Sequence, residues 1–214
     1  MYDTYIFDLD GTLLDTLGDL ATSVNHALRH HGMPERTIDE VRRFVGNGVQ
    51  LLMERAVPGG SDNPQFEQAL QTFREHYLHH SLDTTRPYDG IPELLVELKR
   101  RGKRMAVVSN KFCTATEALC QHFFTDTISV AIGENEAEGV HKKPAPDTVI
   151  EALRQLGTDR RGAVYVGDSD VDLATARNAQ LPCISVLWGF RDRPFLESCG
   201  ATTFVNRPQE ILET

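Results

Sequence analysis

Three observations in this sequence predict an α/β fold: a doubly wound parallel sheet of Rossmann-like type with a small helical domain inserted into it. Short apolar runs alternate with amphipathic stretches along most of the chain. Most of the runs are apolar at nearly every position, as strands covered on both faces must be. The alternation is broken once, between residues 15 and 85, where helical patterns stand alone.

The expected strands are Thr4–Phe7, Met105–Val108, Thr127–Ile132, Ala163–Val166, Cys183–Leu187 and Thr203–Val205. Between them, Ile91, Leu94, Leu95 and Leu98 share one helical face, and Gly102 follows a basic last turn as a stop signal. Val149, Ile150, Leu153 and Leu156 repeat that spacing, with Pro146 near the start and Gly157 at the end. A βαβα order of this kind builds a parallel sheet with helices on both sides.

In the interrupting region, Leu17, Leu20, Ala21, Val24, Ala27 and Leu28 form one apolar stripe, ended by Gly32 and Pro34. Thr37 and Glu40 form a capping-box pattern that opens a second helix. Val49, Leu51, Leu52 and Ala56 give a third, and Asn63-Pro64 opens a fourth through Phe66, Ala69, Leu70, Phe73 and Tyr77. The block is too long for a crossover, which needs one helix. The expected organisation is therefore a core of residues 1–14 and 86–214 with a helical cap of residues 15–85.

The 214 residues carry a formal net charge of −9, with 40% hydrophobic and 25% charged residues. That is an ordinary globular composition with no basic face for nucleic acid. Anionic small molecules stay admissible, because a local cation reverses the potential within a cleft. The four cysteines make no C-x-x-C pair and are expected as reduced thiols. No basic leader and no apolar run near the ~18 residues of a membrane span is present. A soluble cytoplasmic protein, monomeric or a small homo-oligomer, is the expectation.

In open parallel sheets, ligands bind beyond the carboxyl ends of the strands. Asp8 and Asp10 follow the first apolar run, Ser109 and Asn110 the second, and Asp168, Asp170 and Asp172 the fourth. Lys142 and Lys143 precede the helix before that fourth strand. The period of a strand puts Asp8 and Asp10 on one side. Asp168 beside them would bring three carboxylates together, an arrangement that needs a cation, and hard oxygen ligands of this kind suit Mg²⁺. A carboxylate nucleophile, Mg²⁺, lysine and a small hydroxyl point to phosphoryl transfer through an aspartyl-phosphate.

FDLDGT, VVSNK, KKPAPD and VGDSDVD, in this order and spacing, resemble the four motifs of the haloacid dehalogenase-like phosphohydrolases. The resemblance implies Asp8 as nucleophile and Asp10 as general acid and base. It implies Thr12 and Ser109 as phosphate ligands, with Asn110 beside them, and Lys143 as the neutralising cation. Mg²⁺ would be held by Asp8, the backbone carbonyl of Asp10, and Asp168, while Asp172 would orient a metal-bound water or pair with Lys143. RRFVGNGVQLL, residues 42–52, is similar to the cap segment of bacterial phosphoglycolate phosphatases. This makes 2-phosphoglycolate the first expected substrate and Arg42 a candidate for its carboxylate. Asp10 favours ester hydrolysis over dehalogenation, although sugar phosphomutases carry it too. A receiver-like phospho-accepting module is the alternative from another class, but it needs neither the insert nor Asp10.

Other patterns read differently. Residues 168–172 imitate a calcium loop, but Leu173 and Ala179 stand where glycine and glutamate would be needed. No phosphate-binding P-loop is present. A glycosidase pair would flank a sugar from opposite sides, which these carboxylates do not suggest. His26, His30, His31, His79 and His80 read as a solvated helix face, and Trp188 and Phe190 as packing after a core strand. Lys111 is open between the surface and anion steering.

Overall fold

The computed structural model describes residues 2–134 and 140–214. The chain divides into two compact units, Met1–Leu14 with Pro87–Thr214, and Asp15–Arg86. The second boundary lies one residue later than expected.

The first unit is built on a six-stranded parallel sheet: β1 (Thr4–Phe7), β4 (Arg104–Phe112), β5 (Val130–Glu134), β6 (Ala163–Gly167), β7 (Cys183–Val186) and β8 (Phe204–Val205). Their order is β5-β4-β1-β6-β7-β8. Two-residue strands β2 (Leu14–Asp15) and β3 (Arg86–Pro87) pair with each other. Helices α5 (Ile91–Arg100), α6 (Cys113–Phe124), α7 (Asp147–Gln155), α8 (Asp170–Asn178) and α9 (Arg193–Ser198) complete the unit.

Alternate residues of each central strand enter different cores, which is why these strands are apolar throughout. Tyr5 and Phe7 of β1, Met105 and Val107 of β4, and Val164 and Val166 of β6 pack with Ile91, Leu94, Leu95 and Leu98 of α5. On the opposite face, Ile6, Ala106, Val108 and Tyr165 pack with Val149, Ala152 and Leu153 of α7. Each fully buried Leu, Ile, Val or Phe contributes roughly 1.5–3 kcal/mol of transfer free energy. The chain runs outward from β1 through β4 to β5, then returns to β6 on the other side of β1. The carboxyl ends of β1, β4 and β6 thus meet at the point where the winding reverses, where a ligand crevice forms.

Three expectations change here, the first being the start of β5, at Val130 rather than Thr127. Ile150 is exposed on α7, and Ala152 takes the core position beside Val149 and Leu153. β4 runs through Ser109 and Asn110 to Phe112, where its pairing with β5 resumes after a register shift. The polar residues of VVSNK therefore lie within the extended segment rather than after it.

The second unit is helical: α1 (Leu17–His30), α2 (Ile38–Phe44), α3 (Val49–Ala56), α4 (Phe66–His80) and a short 3₁₀ turn at Gly60–Asp62. Thr37 and Glu40 form the full capping box at the start of α2. The stripe of α1 is buried as expected, as is that of α4; on α3 Met53 is buried beside Leu52 and Ala56, with Leu51 only half-buried. Asp19 of α1 accepts four donors, the backbone N–H and hydroxyl of both Thr84 and Thr85, at 2.6–3.1 Å. Burial pushes this carboxyl up, but those hydrogen bonds outweigh it and leave it below the usual range.

The histidines do not all lie on a solvated face. His26 stacks on His76 with 4.0 Å between ring centroids, and His76 on His80 at 4.2 Å, where α1 and α4 pack together. No helix among the described residues is long and apolar enough to cross a membrane, and the four cysteines are free thiols.

Candidate active site

β1 ends at Phe7, and its last inter-strand partners deliver Asp8 to the carboxyl edge, with the Asp8 N–H donating to the Val166 carbonyl at 2.9 Å. Asp8 is 6% exposed. Because the strand stops before it, the strict alternation expected to carry Asp8 and Asp10 to one side does not extend to them. The two carboxylates take different partners: Asp8 Oδ1 accepts from Lys143 Nζ at 2.5 Å, while Asp10 Oδ1 faces Lys111 Nζ at 3.2 Å. The Thr12 hydroxyl points back to Asp8 Oδ2 at 3.4 Å.

Lys143 comes from the loop before α7 and is fully enclosed by its partners. Its ammonium donates to Asp8, to Asp172 Oδ1 at 2.8 Å and to the Tyr165 hydroxyl at 3.0 Å. Burial alone would strip its proton, but Asp172 and Asp8 hold its pKa well above the ordinary value. The Asn110 side chain grips the Lys143 backbone from both sides, accepting its N–H at 2.7 Å and donating to its carbonyl at 3.0 Å. Asn110 thus positions Lys143. Ser109, 2% exposed, accepts the N–H of Lys111 at 3.1 Å through its hydroxyl.

Asp168 and Asp172 follow β6. Ser169 caps α8, its hydroxyl and N–H both donating to Asp172 Oδ2, which also accepts the Asp168 N–H at 3.2 Å. Asp172 Oδ1 receives Lys143 and the Tyr165 hydroxyl. Both oxygens of Asp172 are therefore committed to hydrogen bonds. Asp168 is different: its Oδ2 accepts the Phe190 N–H at 2.6 Å. Glycine is required around it, since a Cβ at Gly11, whose φ is +92°, or at Gly189 would lie under 3.0 Å from Asp168. Asp170 stands aside, 3.9 Å from Arg191.

One ligand oxygen from each of Asp8, Asp168 and Asp172 can be chosen so that all lie within 4.8 Å of one another. Counted as ionised, three carboxylates against the ammonium of Lys143 give a formal excess of two negative charges in a buried setting, which only protons or a cation can offset. Burial first, and then the charge of Asp172, push Asp8 up to about 7, with Lys143 opposing; the same causes raise Asp168 well above the carboxylate range. A hard divalent cation fits this donor set by charge and by ligand type. Asp8 and Asp168 are the residues that could hold it: Asp8 Oδ2 meets only the 3.4 Å contact of Thr12, whereas each oxygen of Asp172 already accepts two donors or more.

The sequence reasoning missed several residues of this cluster. Tyr165 sits in an apolar run and reads as core until its hydroxyl is seen between Lys143 and Asp172. Trp188, expected only to pack, donates its indole N–H to the Thr12 carbonyl at 2.9 Å and fixes the loop carrying the first motif. Lys111 is buried, not on the surface. Arg42 belongs to the other unit, exposed on α2.

The family model for haloacid dehalogenase-like hydrolases matches residues 5–186. The chain belongs to the haloacid dehalogenase-like hydrolase family. A phosphoglycolate phosphatase of Aquifex aeolicus is 33% identical over 86% of this chain and 84% of its own length. An N-acetylmuramic acid 6-phosphate phosphatase of Pseudomonas aeruginosa is 31% identical over 97% and 92%. Among solved structures of this family, a proposed phosphoglycolate phosphatase from Lactobacillus delbrueckii subsp. bulgaricus superposes with a TM-score of 0.94. It is 34% identical, and the match covers 99% of this chain and 97% of that one.

Proposed function

We propose that this hydrolase is a Mg²⁺-dependent phosphatase that cleaves a small phosphate monoester, 2-phosphoglycolate first, through an aspartyl-phosphate. The observation that carries the reading is the Asp8–Lys143 pair: a buried carboxylate in contact with a fixed cation, inside a cluster formally two charges short of neutrality. Mg²⁺ held by Asp8, Asp168 and the backbone carbonyl of Asp10 supplies positive charge that keeps Asp8 ionised and offsets the incoming phosphate dianion.

An Asp8 oxygen attacks phosphorus, forming the acyl-phosphate bond as the ester P–O bond breaks. Asp10 gives its proton to the departing alkoxide. A water then attacks the acyl phosphate, Asp10 takes the proton of that water, and phosphate leaves with Asp8 restored. Lys143, held by Asn110, stabilises charge on the transferring group, and Thr12 and Ser109 supply hydroxyls for its oxygens. Asp172 keeps Lys143 charged and aimed.

The helical unit is proposed as the cap that excludes water and selects the substrate, with Arg42 on the substrate carboxylate. The names of the relatives support two substrate types, phosphoglycolate and an amino-sugar acid 6-phosphate, both of which carry a carboxylate. The test is phosphate release, with and without Mg²⁺, from 2-phosphoglycolate, N-acetylmuramic acid 6-phosphate, other sugar phosphates and nucleoside monophosphates. The highest kcat/KM should fall on 2-phosphoglycolate; a far higher value on a sugar phosphate would reassign the substrate and leave the chemistry standing. Isomerised sugar phosphate without free phosphate would favour a phosphomutase, and a single stoichiometric phosphorylation a receiver-like module. Arg42→Ala should penalise 2-phosphoglycolate more than an aryl phosphate, and equal losses would remove Arg42 from recognition.

A further inference from the structure

The core buries a second lysine whose task is separate from that of Lys143. Lys111 is 5% exposed, and its Nζ stands 3.2 Å from Asp10 Oδ1. That oxygen is buried and has no aligned hydrogen bond among the described residues, and the adjacent ammonium is a charge that offsets its desolvation. The lysine backbone is fixed on both sides. Its N–H donates to Ser109 Oγ at 3.1 Å and its carbonyl accepts from Thr116 Oγ1 at 3.4 Å. Gly133 approaches the same carbonyl so closely that a Cβ there would lie under 3.0 Å from it. The direction of the side chain is thus set by a clamped segment of β4.

We propose that Lys111 is the positioning residue for Asp10, holding its carboxyl group in the orientation from which it exchanges a proton with the leaving group. The inference rests on the acid–base role of Asp10 in the reading above. Proton transfer requires hydrogen-bond reach and correct aim, and a carboxyl group without a partner on Oδ1 is free to rotate about χ1 and χ2. Lys143 does not supply that restraint, because its ammonium is engaged with Asp8, Asp172 and Tyr165. Lys111 acts through Asp10 and need not touch the substrate.

A double-mutant cycle of K111M and D10N tests this, with kcat/KM measured on two monoesters. One is an alkyl phosphate, whose leaving group needs a proton; the other is 4-nitrophenyl phosphate, whose leaving group departs as an anion. K111M should lower kcat/KM on the alkyl ester roughly tenfold or more and on the aryl ester by less than about threefold. K111R should restore most of the loss, and K111M should add nothing in the D10N background. Equal losses on both esters, or no loss, would overturn the proposal. Losses that multiply with D10N would overturn it in favour of a direct grip on phosphate. Should K111M fail to fold, K111Q carries the same comparison. A wild-type protein inactive on every monoester would overturn the phosphatase reading and this one together, whereas an active wild type with a multiplicative cycle overturns this one alone.

Discussion

Lys143 is the residue on which most of the site electrostatics converge. It touches Asp8 and Asp172 and keeps its proton despite full burial. Lys143→Met should reduce kcat by roughly 10²–10³, the usual cost of removing one preorganised charge from a water-excluded site. Lys143→Arg should not rescue it, because a planar guanidinium cannot occupy the point position between two carboxylates and a phenol. Steady-state kinetics on any accepted monoester checks both. At this scale the sequence was readable where chemistry follows a strand end. Asp8, Asp168 and Lys143 lie at the edge where a parallel sheet presents ligands. It was unreadable where a polar atom hides on an apolar pattern: the Tyr165 hydroxyl, the Trp188 N–H and the buried ammonium of Lys111 have functions only through partners distant in the chain. Asn110 was legible as a site residue, but its grip on the Lys143 backbone was not.

At the scale of elements, the glycine approaches to Asp168 and the capping box of α8 show turns shaped around carboxylates rather than around the core. The helical unit uses a carboxylate too, but structurally. Asp19 ties the start of α1 to Thr84 and Thr85 at the end of the same unit. Asp19→Ala strands these donors and should destabilise the unit by roughly 2–4 kcal/mol, read as a lower midpoint in urea. The pH dependence has a definite sign. The folded-state pKa of Asp19 lies below the unfolded value of ~3.9, so its contribution is present above that pH. It is lost as pH falls through the folded value. Asp19→Asn should therefore flatten the acid limb of the stability curve below about pH 4, and an unchanged slope would contradict this. Helix periods and stop signals were legible here because α1 and α4 have one apolar face each. The contact between His26 and His76 was not, because i, i+4 spacing on one helix says nothing of what the next helix brings.

At the scale of the whole molecule, the six strands of the main sheet and their parallel direction followed from the continuously apolar runs, but the short β2–β3 pair and the order β5-β4-β1-β6-β7-β8 did not. Two-sided burial marks a central strand without naming its neighbours. The placement of β6 beside β1 is what brings Asp168 and Asp172 to Asp8, and it leaves the cluster formally two charges from neutrality. Chelation should accordingly abolish turnover and Mg²⁺ should restore it, whereas Ca²⁺, with its larger and looser coordination, should restore much less. Full phosphatase activity after exhaustive chelation would contradict the metal assignment.

The most direct measurement is the capture of the phosphorylated enzyme. In a rapid-quench reaction with a labelled monoester and Mg²⁺, acid-stable peptide mapping should place one phosphoryl group on Asp8, and Asp8→Asn protein should show neither label nor turnover. Turnover that proceeds at the wild-type rate in Asp8→Asn, or a label that maps to another residue, would contradict the account.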